Sequence, residues 1–336
     1  SMFAEKRETN RITDISPSYG RIRDILGEVK KVIAGKDACI EKVFAAILGG
    51  GHILIEDVPG VGKTTLALAF STAMSLENHR MQFTPDVLPA DIVGFTMYDK
   101  ESGEFVYREG AVMCNLFLAD EINRTSPKTQ SALLEVMEEG RVTVDGIGHA
   151  LPQPFFVIAT ENPKGSAGTQ LLPESQLDRF MICVSMGYPD FESELEIAKG
   201  MSRGSKVSQI QPVINAQELS TLQQEAEAVY VDESIYAYIT SLVTATRDHT
   251  YVELGVSPRG TIACVRMAKA WAYVHGRDYV LPEDVKDTFH DVAAHRMVLN
   301  AKARVAKVTV AAVLDELLAK TAEPASFDAS TRRKRV

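Results

Sequence analysis

The stretch from Glu56 to Thr65, EDVPGVGKTT, sets a lysine and two threonines behind a glycine-rich turn, the residue types that hold a nucleoside triphosphate. In such a loop the backbone N–H groups of the turn and of the following helix start point at the β-phosphate. The lysine neutralises charge and the hydroxyl holds Mg2+. Gly60, Val61, Gly62, Lys63 and Thr64 supply those parts, with Asp57, Val58 and Pro59 leading in and Thr65 following. The strict pattern opens on a glycine where this chain has Asp57. That position falls where a strand ends, so the aspartate side chain is expected to turn away from the phosphates. The apolar run HILI before the loop and TTLALAFSTAM after it provide the strand and helix that the motif requires.

Four further stretches carry partners for such a loop. In NLFLADEINR an apolar strand ends in Asp120, placed to hold Mg2+ through water, and Glu121, placed to polarise an attacking water. In VIATENP the next strand ends near Asn162, which can orient the same water, Thr160 being the less favoured substitute and a plain turn before proline the alternative. LPESQLDRF offers Arg179, either an ion-pair partner of Asp178 or a finger reaching the γ-phosphate held by a neighbouring subunit. GVSPRGT puts Ser257 at a helix N-cap, Pro258 at the first helical position and Arg259 in the first turn. A cation is unfavourable there, and a phosphate partner resolves the conflict.

The elements that must position these residues are legible from periodicity. Five short apolar runs, His52–Ile55, Arg80–Phe83, Leu116–Ala119, Pro154–Thr160 and Met181–Met186, alternate with helix-like segments, which predicts an α/β fold: a five-stranded parallel sheet between helices. Two hairpins interrupt that frame, one in VGFTMYDKESGEFVYREG and one around Asp145-Gly146. Beyond Tyr188-Pro189 the β-branched runs stop. Amphipathic segments at 216–229, 233–244, 258–275, 282–297 and 308–318 predict a small all-helical domain. The expected division is a flexible leader 1–15, a core 16–188, a helical domain 189–321 and a disordered basic tail 322–336.

Composition narrows the function classes. The 336 residues, 45% hydrophobic and 24% charged, are those of a globular protein with room for more than one domain. A net charge of -9 disfavours stable nucleic-acid binding, the terminal TRRKRV being the one basic block. No run approaches the roughly 20 apolar residues of a membrane span. A cytoplasmic protein is expected, with Cys39, Cys114, Cys183 and Cys264 reduced. Ser1 ahead of Met2 reads as an expression remnant.

Taken in order, these features resemble the AAA+ ATPases, and QFTPDVLPADIVGF, GEFVYREGAV, LADEINRTSPKTQSALLEVMEEGRVTVDG, PFFVIATENP, LPESQLDRF and SPRG resemble the MoxR family. The likeness is dense from about Ile33 to Arg259. It implies a P-loop NTPase core with a helical lid, ATP and Mg2+ as ligands, and a homo-hexameric ring with sites between subunits. Lys63 and Thr64 would be the Walker A lysine and hydroxyl, Asp120 and Glu121 the Walker B pair, Asn162 sensor 1, Arg179 the arginine finger and Arg259 sensor 2. Ile33, Ala34 and Gly35 would pack the adenine; Gln82 and Arg124 would contact the site, and Arg124 and Lys128 could also face a neighbour. The segments Leu88–Gly110 and Arg141–Leu151 would be the helix-2 insert and the hairpin before sensor 1. The expected work is ATP hydrolysis driving chaperone-like remodelling of a protein client, with a von Willebrand factor A domain partner. A magnesium-chelatase-like subunit, a nucleic-acid motor of the same branch and a slow ATP-binding switch are the alternatives. A GTPase is disfavoured because no Asn-Lys-x-Asp guanine reader is present.

Overall fold

The computed structural model describes residues 16–33, 35–56, 62–162, 172–200 and 204–324. The expected leader, the tail beyond residue 324, Ala34 and the segment Asp57, Val58, Pro59, Gly60 and Val61 lie outside the described residues.

Two helices open the described chain, α1 (Ser16–Val32) and α2 (Asp37–Leu48), followed by β1 (Ile53–Glu56), α3 (Lys63–Ala73) and β2 (Asn78–Gln82). Next come α4 (Pro89–Val93), the hairpin β3 (Gly94–Asp99) and β4 (Glu104–Glu109), then β5 (Leu116–Asp120) and α5 (Pro127–Glu139). A second hairpin, β6 (Arg141–Val144) and β7 (Ile147–Ala150), precedes β8 (Phe156–Glu161), α6 (Glu174–Leu177) and β9 (Ile182–Val184).

Strands β2, β5, β8, β1 and β9 form one parallel sheet in that order. Its residues alternate between two cores, as the period of a strand requires. Ile53, Ile55, Leu116, Leu118, Ile158 and Ile182 face the core shared with α1, α2 and α3. Leu54, Phe117, Ala119, Val157 and Ala159 face the other, which holds Leu133, Leu134 and Met137 of α5. Burial on both faces explains why β1, β5, β8 and β9 read as apolar runs, whereas β2, at the end of the sheet, is exposed or half-buried throughout. Four strands end in polar groups at one edge: Glu56, Gln82, Asp120 and Glu161.

Both hairpins stand outside this sheet. At the β6–β7 turn Asp145 and Gly146 have φ of 50° and 76°, the left-handed pair of a tight two-residue turn. The Tyr107 and His149 rings stack with centroids 3.7 Å apart and tie one hairpin to the other. Phe95, Met97, Tyr98 and Phe105 are exposed on the first, and Ile147 on the second.

After α7 (Phe191–Ala198) come α8 (Ala216–Glu227), α9 (Glu233–Arg247), α10 (Pro258–Val274), α11 (Pro282–Ala293), α12 (Ala301–Val305) and α13 (Val310–Lys320). This region also holds an antiparallel pair, β10 (Val252–Leu254) with β11 (Val298–Leu299), which an all-helical reading leaves out. Helix α11 packs on β9 and α10 on α2, so the helical region is fastened to the sheet's edge. The buried Arg296 guanidinium reinforces the junction: it donates to Asp178 Oδ1 at 2.7 Å and to the carbonyls of Asp178, Phe180 and Met181. Burial draws its pKa down and the Asp178 partner opposes that.

Candidate nucleotide site

Helix α3 begins at Lys63 with Gly62 at its N-cap, at φ 68° and with no side-chain cap. The first helical bond runs from the Leu66 N–H to the Gly62 carbonyl at 2.8 Å, so the N–H groups of Lys63, Thr64 and Thr65 have no acceptor within the helix. Orphan donors at the positive end of a helix dipole suit a phosphate. A Cβ on Gly62 would stand 3.3 Å from Met186 Cε, so glycine fits both the left-handed backbone and the close neighbour. Helix α3 packs against β5, which brings Thr64 and Thr65 to the same sheet edge as Asp120.

At that edge one hydroxyl ties the carboxylate pair together. Thr160 Oγ1 donates to Asp120 Oδ1 at 2.6 Å and accepts the Glu121 N–H at 2.8 Å. Glu121 sits at φ 54°, ψ 55°, a left-handed conformation that costs a non-glycine residue on the order of 1 kcal/mol or more. The Thr160 contact helps to hold it there, turning the Glu121 side chain off the strand line. Arg80 Nη2 approaches Asp120 Oδ2 at 3.1 Å, and Arg124 Nη1 donates to Glu121 Oε2 at 2.9 Å. Gln82 is the register partner of Asp120. Asn162 lies two residues beyond Thr160, and its carbonyl accepts from Asn123 Nδ2 at 3.1 Å. Lys63, Thr64, Thr65, Gln82, Asp120, Glu121, Arg124 and Asn162 thus share one end of the sheet. Asp120 and the Thr64 hydroxyl are hard oxygen donors of the kind Mg2+ takes.

Ile33 is buried, and Gly35, at φ 75°, abuts the start of α7: a Cβ there would lie 2.1 Å from Asp190 Oδ2. Lys36 Nζ donates to the Tyr188 carbonyl at 2.6 Å. The segment expected to pack an adenine therefore borders the connection to the helical region.

The two remaining arginines sit elsewhere. Arg179 precedes β9 and meets Glu138 Oε2 at 3.2 Å, while Arg259 Nη2 donates to Glu138 Oε1 at 2.6 Å. The partner offered by the sequence for Arg179, Asp178, is taken instead by Arg296 and by the Ser257 hydroxyl at 2.8 Å. Ser257 also caps α10, accepting the Gly260 N–H at 3.2 Å. His52, just before β1, marks this edge: its carbonyl accepts the Met181 N–H, its Nε2 donates to the Met137 carbonyl and its Nδ1 accepts the Val157 N–H. Loss of water around it pushes its pKa down to about 4, against the Met137 carbonyl bond, which keeps the ring neutral. Arg179 and Arg259 thus lie at the N-terminal edge of the sheet, while Asp120 lies at the C-terminal edge. Strand β1 separates the edges by roughly 13 Å at about 3.3 Å per residue.

Sequence reasoning missed an acid pair. Glu56 and Glu161 are register partners on β1 and β8. Burial and the neighbouring Glu56 push the Glu161 carboxyl up to about 8, and burial, with both acids adding to it, raises the adjacent Cys183 thiol. The signal was present, since each glutamate is the last residue of an apolar strand, but only pairing makes them neighbours. A carboxyl whose proton is held more tightly in the folded state contributes stability that is complete below about 4.5 and lost as pH rises through about 8. Glu161→Gln is therefore expected to melt about 4 °C higher than the parent at pH 9, from roughly 2 kcal/mol, with the gap narrowing through pH 6 and closing below about pH 4.5. Parallel melting curves across that range would remove the acid pair as the cause.

Comparisons with known proteins agree with this geometry. Residues 52–182 match the family described as ATPase family associated with various cellular activities, and residues 244–317 match the AAA lid domain. The chain is 44% identical to YeaC of Bacillus subtilis, over 93% of this chain and 96% of that one. It is 38% identical to the chaperone MoxR1 of Mycobacterium tuberculosis, over 88% and 81%. A crystal structure from Cytophaga hutchinsonii, assigned as an ATPase, superposes with a TM-score of 0.84 at 37% identity, covering 96% of this chain and 99% of that one. With a helix N-terminus, a carboxylate pair and a helical region arranged as described, and with relatives matched over four fifths or more of their length, the chain belongs to the MoxR family of AAA+ ATPases.

Proposed function

We propose that the protein hydrolyses ATP to ADP and phosphate, with Mg2+, and uses the cycle to remodel a protein client. The observation that carries this reading is the Thr160 bridge, which fixes Asp120 and Glu121 side by side at the edge where α3 presents its free N–H groups.

In this reading the α3 N-terminus and Lys63 bind the phosphates, and Gly60, Val61 and Gly62 are assigned to the same phosphate site. Asp57, Val58 and Pro59 lead in, and Ile33, Ala34 and Gly35 border the base. Thr64 and Asp120 would hold Mg2+, whose chemistry when bound is to neutralise charge developing between the β- and γ-phosphates. Glu121, released from Arg124, accepts the proton of the attacking water, and Asn162 orients that water. Arg179 and Arg259 lie too far along β1 to serve the phosphates of their own chain, and we assign them to a neighbouring copy in a homo-hexameric ring. The core is assigned to residues 16–188 and the lid to 189–321.

The exposed aromatic side chains of the β3–β4 hairpin suit a client surface, and a relative named as a chaperone supports the same use. The client is proposed to carry a von Willebrand factor A domain. No described helix is long and apolar enough to cross a membrane, and we place the work in the cytoplasm, without stable nucleic acid. The purified protein is expected to release phosphate from ATP with Mg2+ and to stop with EDTA. Equal rates under both conditions would refute the metal's role. Capture from the native host with Glu121→Gln as a trap is expected to recover a von Willebrand factor A protein; recovery of other clients alone would overturn that partner while leaving hydrolysis intact.

A further inference from the structure

Glu138, the penultimate residue of α5, uses both carboxylate oxygens on arginines from separate parts of the chain. Oε1 accepts from Arg259 Nη2 at 2.6 Å, and Oε2 lies 3.2 Å from Arg179 Nε. The second contact is incomplete, since Arg179 Nε is buried and makes no hydrogen bond. Arg266, two turns along α10 from Arg259, lines the same cleft and has no carboxylate partner among the described residues. Asp178, the cleft's other carboxylate, is taken by Arg296 and Ser257. One carboxylate therefore stands against three guanidinium groups, on a chain whose net charge is -9. Such a local excess favours an anion, and a phosphate, with more charge and more oxygens than Glu138, competes for the same donors.

We propose that Glu138 is a positioning residue that keeps Arg179 and Arg259 paired at the edge facing a second copy of this chain, and yields them to the terminal phosphate of that copy's nucleotide. The proposal rests on the shared-site reading given under Proposed function. Its consequence lies in the 13-residue helix α5, about 20 Å long, which begins just past the Ile122–Arg124 turn beside Glu121. At its other end α5 runs through Glu138 and Gly140 into β6. Exchange of carboxylate for phosphate frees the root of the β6–β7 hairpin, so a neighbour's nucleotide is reported to that hairpin through this side chain.

The test compares the full-length parent, Glu138→Gln, Glu138→Asp and Arg259→Ala. ATPase rates are measured against ATP concentration, and hydrogen exchange is followed over Arg141–Ala150. Removing the competing charge from these two partly exposed pairs is expected to lower the half-saturating ATP concentration about fivefold and the Hill coefficient toward one, with kcat within about twofold. Glu138→Asp is expected to restore most of the parent's ATP dependence. Hairpin exchange in nucleotide-free Glu138→Gln is expected to match that of the ATP-loaded parent. Unchanged half-saturation and hairpin exchange in Glu138→Gln, with Arg259→Ala inactive, would overturn the role of Glu138 alone. A kcat loss in Glu138→Gln equal to that of Arg259→Ala would overturn it too, because Glu138 would then be needed in the reaction itself. Full activity in Arg259→Ala would overturn the shared-site reading beneath it.

Discussion

Glu121→Gln is expected to lower ATP turnover at least about a hundredfold while ATP still binds, because the amide keeps the size of the carboxylate and loses its ability to take a proton. The surroundings predict a clean separation of the two effects. The Glu121 backbone is held by its N–H bond to Thr160, which the substitution does not touch. Its side-chain partner is Arg124, at the surface, so folding is expected to change little. Lys63→Ala should do the opposite: it removes a charge from the phosphate side and weakens ATP binding by roughly tenfold or more, the value of a charge-assisted hydrogen bond. Single-turnover hydrolysis together with fluorescent-nucleotide binding distinguishes the pair. Glu121→Gln with full turnover would show that another group activates the water, and Thr160 with Asn162 would become the next candidates.

The second large effect concerns the arginines. Arg179→Ala and Arg259→Ala are each expected to lower turnover about a hundredfold or more, the scale of a finger that stabilises transferring phosphate. The more telling measurement is mixing. Neither Lys63→Ala nor Arg259→Ala has a complete shared site alone, but in mixed assemblies an intact phosphate side of one copy meets an intact arginine side of the other. Randomly mixed copies in equal amounts should recover about a quarter of the parental rate, since each half of a site is intact half the time in a head-to-tail ring. No recovery on mixing would mean that Arg259 serves its own chain, against its position beside His52 and Glu138 at the far end of β1.

The two predictions draw differently on the sequence. Strands β1, β5, β8 and β9 were visible because a strand buried on both faces must be apolar throughout; β2, NHRMQ at the end of the sheet, is exposed or half-buried along its length and carries no such signal. Helices α9, α10 and α11 were visible because capping and amphipathic spacing are local: Asp232 and Ser257 cap the first two, and Pro282 opens the third. The β6–β7 turn was legible from Asp145-Gly146 for the same reason. The β10–β11 pair was not, since strands of three and two residues carry no periodicity and exist only because they meet.

By itself, then, the sequence determined the sheet, its two hairpins, the helices that follow and the residue types of a phosphate-binding edge, because each follows from neighbours a few positions apart. It also pointed to a phosphate partner for Arg259, from the electrostatics of a helix start. Only the tertiary structure showed what Arg259 meets within one copy: the carboxylate of Glu138, 121 positions away. The tertiary structure likewise made Thr160 the bridge between Asp120 and Glu121, gave Asp178 to Arg296 and set Glu56 against Glu161. Each is a contact between strand or helix ends whose register and crossing are fixed by the packing of the whole core, and no local window of sequence contains that information.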